Sequence, residues 1–98
     1  MSGEISIQKA QWALANQSGI KLIDVRTAME YRQGHIAGSI NIPLDKIRNC
    51  RIPDKHTLIF VCCKGGSRAG QAKDILMAMG YTNVINIGGI GGWRLVGD

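Results

Sequence analysis

The chain has 98 residues, of which 45% are hydrophobic, and it carries a formal net charge of +5 at pH 7. Its length corresponds to one domain, expected to span residues 1–98, and its composition excludes an intrinsically disordered chain. It contains no apolar run of the ~18 residues that a membrane-spanning helix needs, and its basic residues are scattered without an aromatic platform, which favours small anions over nucleic acids as ligands.

Helical and strand patterns alternate from the N-terminus onwards. Ser6 precedes apolar residues at helical spacing, which predicts a helix over residues 7–17. The short apolar run over residues 21–25 has the length of a strand. Thr27 and Glu30 have the spacing of a capping box, so a brief second helix is expected to begin there.

The middle of the chain predicts two further strands. Residues 39–42 form a short strand pattern that Pro43 ends, and Asp45 is placed to cap one more turn of helix. Residues 57–62 are the most apolar run in the chain. Because this run lacks the alternation of a half-exposed strand, we expect it to be a central parallel strand that is buried on both faces.

The last third of the chain continues the alternation. Apolar side chains at helical spacing predict a helix over residues 68–79, with Gly80 directly after it. Residues 83–87 predict the last strand, and the glycine pair that follows is expected to lead into a final helical segment containing Trp93. Strands alternating with helices imply right-handed crossovers, and therefore a three-layer α/β fold whose central parallel sheet has helices on both faces.

The loop after the most apolar strand has the composition of an anion cradle. Its residues are Cys63, Lys64, Gly65, Gly66, Ser67 and Arg68. Successive glycines allow backbone N–H groups to point into one concavity, and the N-terminus of the following helix adds further unpaired N–H groups. Lys64 and Arg68 add positive charge. We expect a thiol at the mouth of this cradle to be held as a thiolate, which makes Cys63 the candidate nucleophile.

The chain has three cysteines, and we expect all three to be free thiols. Cys62 and Cys63 are adjacent, which disfavours an unstrained disulfide between them, and no pair has the spacing of a zinc site. Alternation along the strand directs Cys62 to the face opposite Cys63. Free thiols, and the lack of an apolar secretory signal at the N-terminus, indicate a cytoplasmic protein.

Three groups of residues occur in the order that is typical of a known family. The first comprises residues 22–26, 30–31, 34–39 and 41–43; the second comprises residues 61–68 and Ala72; the third comprises Gly80, Tyr81, Val84, Gly88, Gly89 and Trp93. Through these motifs the chain resembles a rhodanese domain from about residue 22 to residue 93.

The resemblance implies a thiosulfate sulfurtransferase or a related persulfide carrier. Cys63 falls on the family's nucleophile, and residues 64–68 fall on its substrate-binding loop. In such a protein Cys63 attacks the outer sulfur of thiosulfate, expels sulfite, and holds a persulfide until cyanide, a thiol or a sulfur-acceptor protein removes the sulfur. The resemblance implies no cofactor and no metal, and the small size favours a monomer.

Two alternatives stay open. Cys62 and Arg68 have the C-x5-R spacing of a tyrosine-phosphatase-type loop, which the rhodanese fold also hosts in cell-cycle phosphatases and in some arsenate reductases. Against this reading, Val61 replaces the histidine that usually precedes that cysteine, and Ala69 replaces the usual serine or threonine after the arginine. The other alternative is a catalytically silent interaction module, against which the intact Cys63 and its basic loop argue.

Overall fold

A computed structural model describes residues 3–97 of the chain as a sheet with helices packed on both faces. In chain order its elements are α1 (Ile7–Asn16), β1 (Lys21–Asp24), α2 (Ala28–Gln33), β2 (His35–Ile36), β3 (Ile40–Asn41), a 3-10 helix (Leu44–Asn49), β4 (Ile59–Cys63), α3 (Ser67–Ala78), β5 (Val84–Gly89) and β6 (Leu95–Val96). The main sheet has the strand order β3-β1-β4-β5, and every pairing within it is parallel. The predicted α/β fold with a central parallel sheet is confirmed.

Strand β4 is central because it pairs with β1 on one side and β5 on the other. All five of its residues are buried. A strand covered on both faces needs apolar side chains at every position, which is why its sequence lacks alternation. The predicted burial is confirmed for residues 59–62, whereas Thr57 and Leu58 precede the strand and are half-buried.

The two faces of the sheet carry separate apolar clusters. On one face, buried residues of α3 and of the 3-10 helix, such as Leu76 and Ile47, pack against Ile59 and Val61 of β4. On the other face, Ala10 of α1 belongs to the cluster around Phe60 and Leu22. Within residues 3–97, no helix is long and apolar enough to cross a bilayer.

The helix boundaries follow local signals in most places. The side chain of Ser6 accepts a hydrogen bond from the N–H of Lys9, and the capping box of Thr27 and Glu30 is present at the start of α2. Asp45 does not cap the 3-10 helix: the cap position is occupied by Pro43, which makes no side-chain hydrogen bond. A residue in the first turn can still interact with the positive end of the helix, but the prediction for Asp45 as a cap is wrong.

The predicted helical segment around Trp93 is also wrong. Residues 91–92 form a turn, and the chain then enters β6, which pairs antiparallel with β2 in a separate two-stranded sheet. Gly92 has a φ of +88°, a value outside the helical range. Glycine also has a poor intrinsic helix propensity, so this glycine-rich stretch favours turns over a helix.

Candidate active site

The candidate nucleophile lies at the carboxyl end of the central strand. Cys63 is the last residue of β4 and is only 1% exposed. Its carbonyl oxygen accepts a hydrogen bond from the N–H of Ile90 at 2.9 Å, which fixes the strand end to the segment after β5. The carboxyl edge of an open parallel sheet is where such folds leave a crevice for ligands.

Two backbone N–H groups point at the sulfur atom of Cys63. The N–H of Gly66 donates to Sγ at 2.8 Å, and the N–H of Ala69 donates at 3.4 Å. Gly66 immediately precedes α3 with a φ of +98°, a left-handed conformation that glycine adopts without strain. Ala69 lies in the first turn of α3, where N–H groups have no partner within the helix. Both donors favour negative charge on the sulfur.

The rest of the loop is placed around this cradle and not directly on the sulfur. Lys64 is exposed and lines the adjoining cavity, and Ser67 is the exposed first residue of α3. Gly65 faces open space, since no described atom lies within 4 Å of where its side chain would begin. No motif singles out the N–H of Ala69 as a donor, although its position in the first helical turn is a signal that the sequence offers.

The end of β5 lies directly against the loop at Gly89. A Cβ atom there would collide with the carbonyl group of Lys64, so no other residue type fits without moving the backbone. β4 and β5 also shift register between Val61 and Cys62. The predicted glycine pair therefore serves a close backbone approach beside the loop.

Asn86 on β5 fixes the orientation of the Gly66 peptide. Its Nδ2 donates to the carbonyl oxygen of Gly66 at 3.1 Å, and its Oδ1 accepts from the N–H of Gly88 at 2.7 Å. The N–H of the same glycine donates to Sγ of Cys63, so Asn86 holds the residue that contacts the sulfur. No sequence motif singles out Asn86, because a strand asparagine carries no local pattern that links it to a loop 20 residues earlier.

Arg68 is paired with Glu30. Its Nη1 and Nη2 donate to Oε1 and Oε2 of Glu30 at 2.6 and 3.0 Å. These hydrogen bonds, together with those from Thr27, lower the pKa of Glu30 to about 2, so its carboxylate is ionised at neutral pH. The same bonds raise the pKa of Arg68. The sequence predicts anion binding by Arg68 and gives no indication of this carboxylate partner.

A buried ion pair supports the strand beside β4. Nη2 of Arg26 lies 2.7 Å from Oδ2 of Asp24, and the two side chains are 6% and 0% exposed. The same Nη2 donates to the carbonyl oxygen of Gly34 at 2.7 Å, which ties the end of α2 to the end of β1. The pair therefore connects the segments that follow β1 and α2.

Cys62 lies on the opposite face of the sheet from Cys63. It belongs to the apolar cluster that contains α1, whereas Cys63 belongs to the cluster that contains α3. The prediction from strand alternation is confirmed. Burial, followed by the nearby charge of Asp24, raises the pKa of Cys62, so this thiol stays protonated at neutral pH. The N–H groups of the loop point at Cys63 instead.

His35 has a structural environment. Its ring stacks on Tyr31 with a centroid distance of 3.7 Å, and its Nδ1 lies 2.7 Å from the carbonyl oxygen of the same residue. It is buried at the start of β2. These contacts give His35 a structural role between α2 and β2.

A cavity of about 430 Å³ opens beside the cradle. The residues that line it are Arg26, Glu30, Gln33, Gly34, Lys64, Ile90, Gly91 and Leu95. Two of these residues are next to Cys63. Lys64 follows it in the chain, and the N–H of Ile90 donates to its carbonyl oxygen. In the described part of the chain, no three histidine, cysteine or acidic residues are grouped so that they could hold a metal ion.

The sequence comparisons point to a single family. Residues 8–95 match the family profile of the rhodanese-like domain. The chain is 46% identical over 71 residues to the thiosulfate sulfurtransferase PspE of Escherichia coli, an alignment that covers 69% of this chain and 68% of that protein. It is 36% identical over 97 residues to a sulfurtransferase of Allochromatium vinosum, which covers 95% of this chain and 89% of the relative.

The structural comparison agrees with the sequence comparison. A solved structure described as a rhodanese with anions from E. coli superposes with a TM-score of 0.74 at 40% identity. The superposition covers 81% of this chain and 99% of the other. A rhodanese-like domain protein of Staphylococcus aureus superposes with a TM-score of 0.83 at 28% identity, covering 96% of each chain.

Proposed function

The chain belongs to the rhodanese-like domain family of sulfurtransferases, and from this premise we propose that it moves the outer sulfur of thiosulfate through a persulfide on Cys63. The observation that carries the proposal is the pair of backbone N–H groups that donate to Sγ of Cys63. They stabilise the negative charge of the attacking thiolate before reaction, and again when the outer sulfur has left.

The first step loads the sulfur. The thiolate of Cys63 attacks the outer sulfur of thiosulfate and forms a new S–S bond. The S–S bond within thiosulfate breaks, and its electron pair leaves with sulfite. Cys63 thereby becomes a persulfide, and no external oxidant or reductant is needed.

The second step unloads it. The carbon of cyanide, or the sulfur of a thiolate, attacks the outer sulfur of the persulfide. The persulfide bond breaks and its electrons return to Cys63 as thiolate, while the acceptor leaves as thiocyanate or as a new persulfide. The two half-reactions share one enzyme intermediate, so the kinetics are expected to be ping-pong. A sulfur-acceptor protein that presents a thiol would take the place of the small thiol.

The remaining loop residues supply charge and backbone shape. Lys64 lines the cavity beside Cys63 and attracts the anionic donor. Gly65 and Gly66 lie in the bend that brings the N-terminus of α3 to the sulfur, and Ser67 begins that helix. Arg68 influences the donor through Glu30, which lies on the cavity wall.

The cycle also bears on where the protein works and in what state. Persulfide formation begins from a free thiolate, which a reducing compartment such as the cytoplasm maintains. Both hydrogen bonds to Sγ of Cys63 come from the same chain, one from Gly66 in the loop and one from Ala69 in the first turn of α3. We therefore propose a cytoplasmic protein that acts as a monomer.

The proposed activity can be tested by supplying thiosulfate and cyanide and measuring thiocyanate. We expect thiocyanate formation with ping-pong kinetics, and no hydrolysis of an aryl phosphate or reduction of arsenate in parallel assays. Phosphate hydrolysis or arsenate reduction without sulfur transfer would assign the loop to Cys62 and Arg68. No reaction in any of the three assays would support a non-catalytic interaction module.

The contact from Asn86 predicts a graded loss of activity. Asn86→Asp keeps the acceptor for Gly88 but places a carboxylate against the carbonyl oxygen of Gly66, so the loop N–H groups should lose their alignment. We expect the rate of sulfur loading in a single turnover to fall about tenfold. Asn83→Asp, which adds the same charge at an exposed position just before β5, is the matched control and should load sulfur at the normal rate. Equal losses in both variants would show that Asn86 does not position the loop.

A further inference from the structure

The carboxylate of Glu30 lies between Arg68 and the cavity beside Cys63. Glu30 and Lys64 both line the 430 Å³ cavity, whereas Arg68 lines a different cavity, together with Thr27 and Val25. The guanidinium holds Glu30 through two hydrogen bonds and is close enough to Cys63 to interact with it electrostatically. A sulfur donor in the cavity beside Cys63 therefore lies near the negative carboxylate of Glu30, whose charge is balanced by Arg68.

We propose that Glu30 is the specificity-determining residue that sets the preference between singly and doubly charged sulfur donors. The proposal rests on the sulfur-transfer function proposed above and identifies the residue that controls its donor range. The carboxylate of Glu30 repels a negatively charged donor in the cavity. It also neutralises the positive charge of Arg68, which would otherwise attract the donor. Both effects act in the same direction, against a dianion.

The size of the effect follows from Coulomb's law. The interaction energy between Glu30 and the donor is proportional to the donor's charge, so the logarithm of the change in KM should be twice as large for a dianion as for a monoanion. Glu30 and Arg68 are 29% and 32% exposed, and water therefore screens the field. Removing the charge of Glu30 is expected to lower the KM for thiosulfate about fivefold and that for a monoanionic aromatic thiosulfonate about twofold.

The variant Glu30→Gln removes the negative charge of Glu30 and keeps the fold. Glutamine can replace glutamate in a capping box, so the start of α2 is retained while the ion pair loses its negative member. Thr27→Ala is the matched control: it removes the side-chain cap but keeps the charge of Glu30. We expect Thr27→Ala to lower the thermal midpoint and to leave the ratio of the two KM values unchanged. A change in that ratio with Thr27→Ala as large as with Glu30→Gln would refute a charge effect.

A second pair of variants separates field effects from direct contact. Arg68→Ala leaves Glu30 uncompensated and should raise the KM for thiosulfate about fivefold, with a smaller rise for the thiosulfonate. The double variant of Glu30→Gln and Arg68→Ala restores zero net charge and should return the thiosulfate KM to within about twofold of the unmodified protein. A double variant as impaired as Arg68→Ala would mean that Arg68 contacts the donor itself, which contradicts the proposal.

The experiment also distinguishes this inference from the function on which it rests. Steady-state KM and kcat are measured for thiosulfate and for the aromatic thiosulfonate, at low and at physiological ionic strength. The donor ratio should shift in Glu30→Gln, and the shift should shrink as salt is added. If the unmodified protein transfers sulfur from both donors but Glu30→Gln leaves their KM ratio unchanged, the role of Glu30 is wrong while the function stands. If the unmodified protein forms no persulfide from either donor, the proposed function itself fails.

Discussion

Replacing Cys63 with serine is expected to lower sulfur transfer from thiosulfate by a factor of about a thousand or more. A serine hydroxyl at this position would accept hydrogen bonds from the same backbone N–H groups, those of Gly66 and Ala69, but its oxygen cannot form a persulfide. The fold should be retained because serine is close to cysteine in size. Thiocyanate production in steady state, together with the thermal midpoint, measures both expectations.

Cys62→Ser is the matched control for this substitution. Cys62 lies in the same strand and is equally buried, but it faces the cluster on the side of α1. We expect Cys62→Ser to keep sulfur transfer within about threefold of the unmodified protein, with some loss of stability from a buried hydroxyl. Loss of activity in Cys62→Ser, with activity retained in Cys63→Ser, would show that the loop belongs to Cys62.

The second large effect concerns stability. Asp24→Ala leaves the guanidinium of Arg26 buried without its charge partner, since Arg26 is only 6% exposed at the side chain. Breaking a buried ion pair in this way costs about 3–5 kcal/mol. Small domains have total stabilities of about 5–15 kcal/mol, so much of the native stability should be lost. The midpoint of urea denaturation, converted with an unchanged m-value, is the measurement.

An exposed ion pair on the same protein provides the comparison. Lys73 lies 2.6 Å from a carboxylate oxygen of Glu4, with side chains 24% and 46% exposed. Because solvent screens this pair, Lys73→Gln should change the unfolding free energy by less than about 1 kcal/mol. If Asp24→Ala were as mild as Lys73→Gln, Arg26 would have found another partner, and the buried pair would not support β1.

The predictions from sequence succeeded where the signal was local. Thr27 and Glu30 are three residues apart, and a capping box depends on nothing outside that span. The apolar run that forms β4 predicted a central strand because a strand buried on both faces is apolar at every position. The position of Cys63 at the end of that strand followed directly.

Contacts between distant parts of the chain had no local signal. Arg68 and Glu30 are 38 residues apart, and nothing near either residue indicated their pairing. β2 and β6 have two residues each, too few to show a period, and they lie far apart in the chain. The error at Trp93 is different in kind: the glycines around it have poor helix propensity, and that signal was available.

The cradle around Cys63 depends both on local sequence signals and on contacts between distant parts of the chain. Gly66 was predicted as a backbone donor from its place between a strand and a helix, and it does donate to Sγ of Cys63. The support that Asn86 gives to Gly66 comes from a neighbouring strand and depends on the register of β4 against β5. Register between parallel strands joined by a long crossover is not encoded in any short segment.

The proposal that Cys63 carries the transferred sulfur is tested by the intact mass of the reduced protein after treatment with thiosulfate. We expect a gain of one sulfur atom in the unmodified protein and in Cys62→Ser, no gain in Cys63→Ser, and loss of the added mass when cyanide is supplied. A gain that persists in Cys63→Ser, or no gain in the unmodified protein, would contradict it.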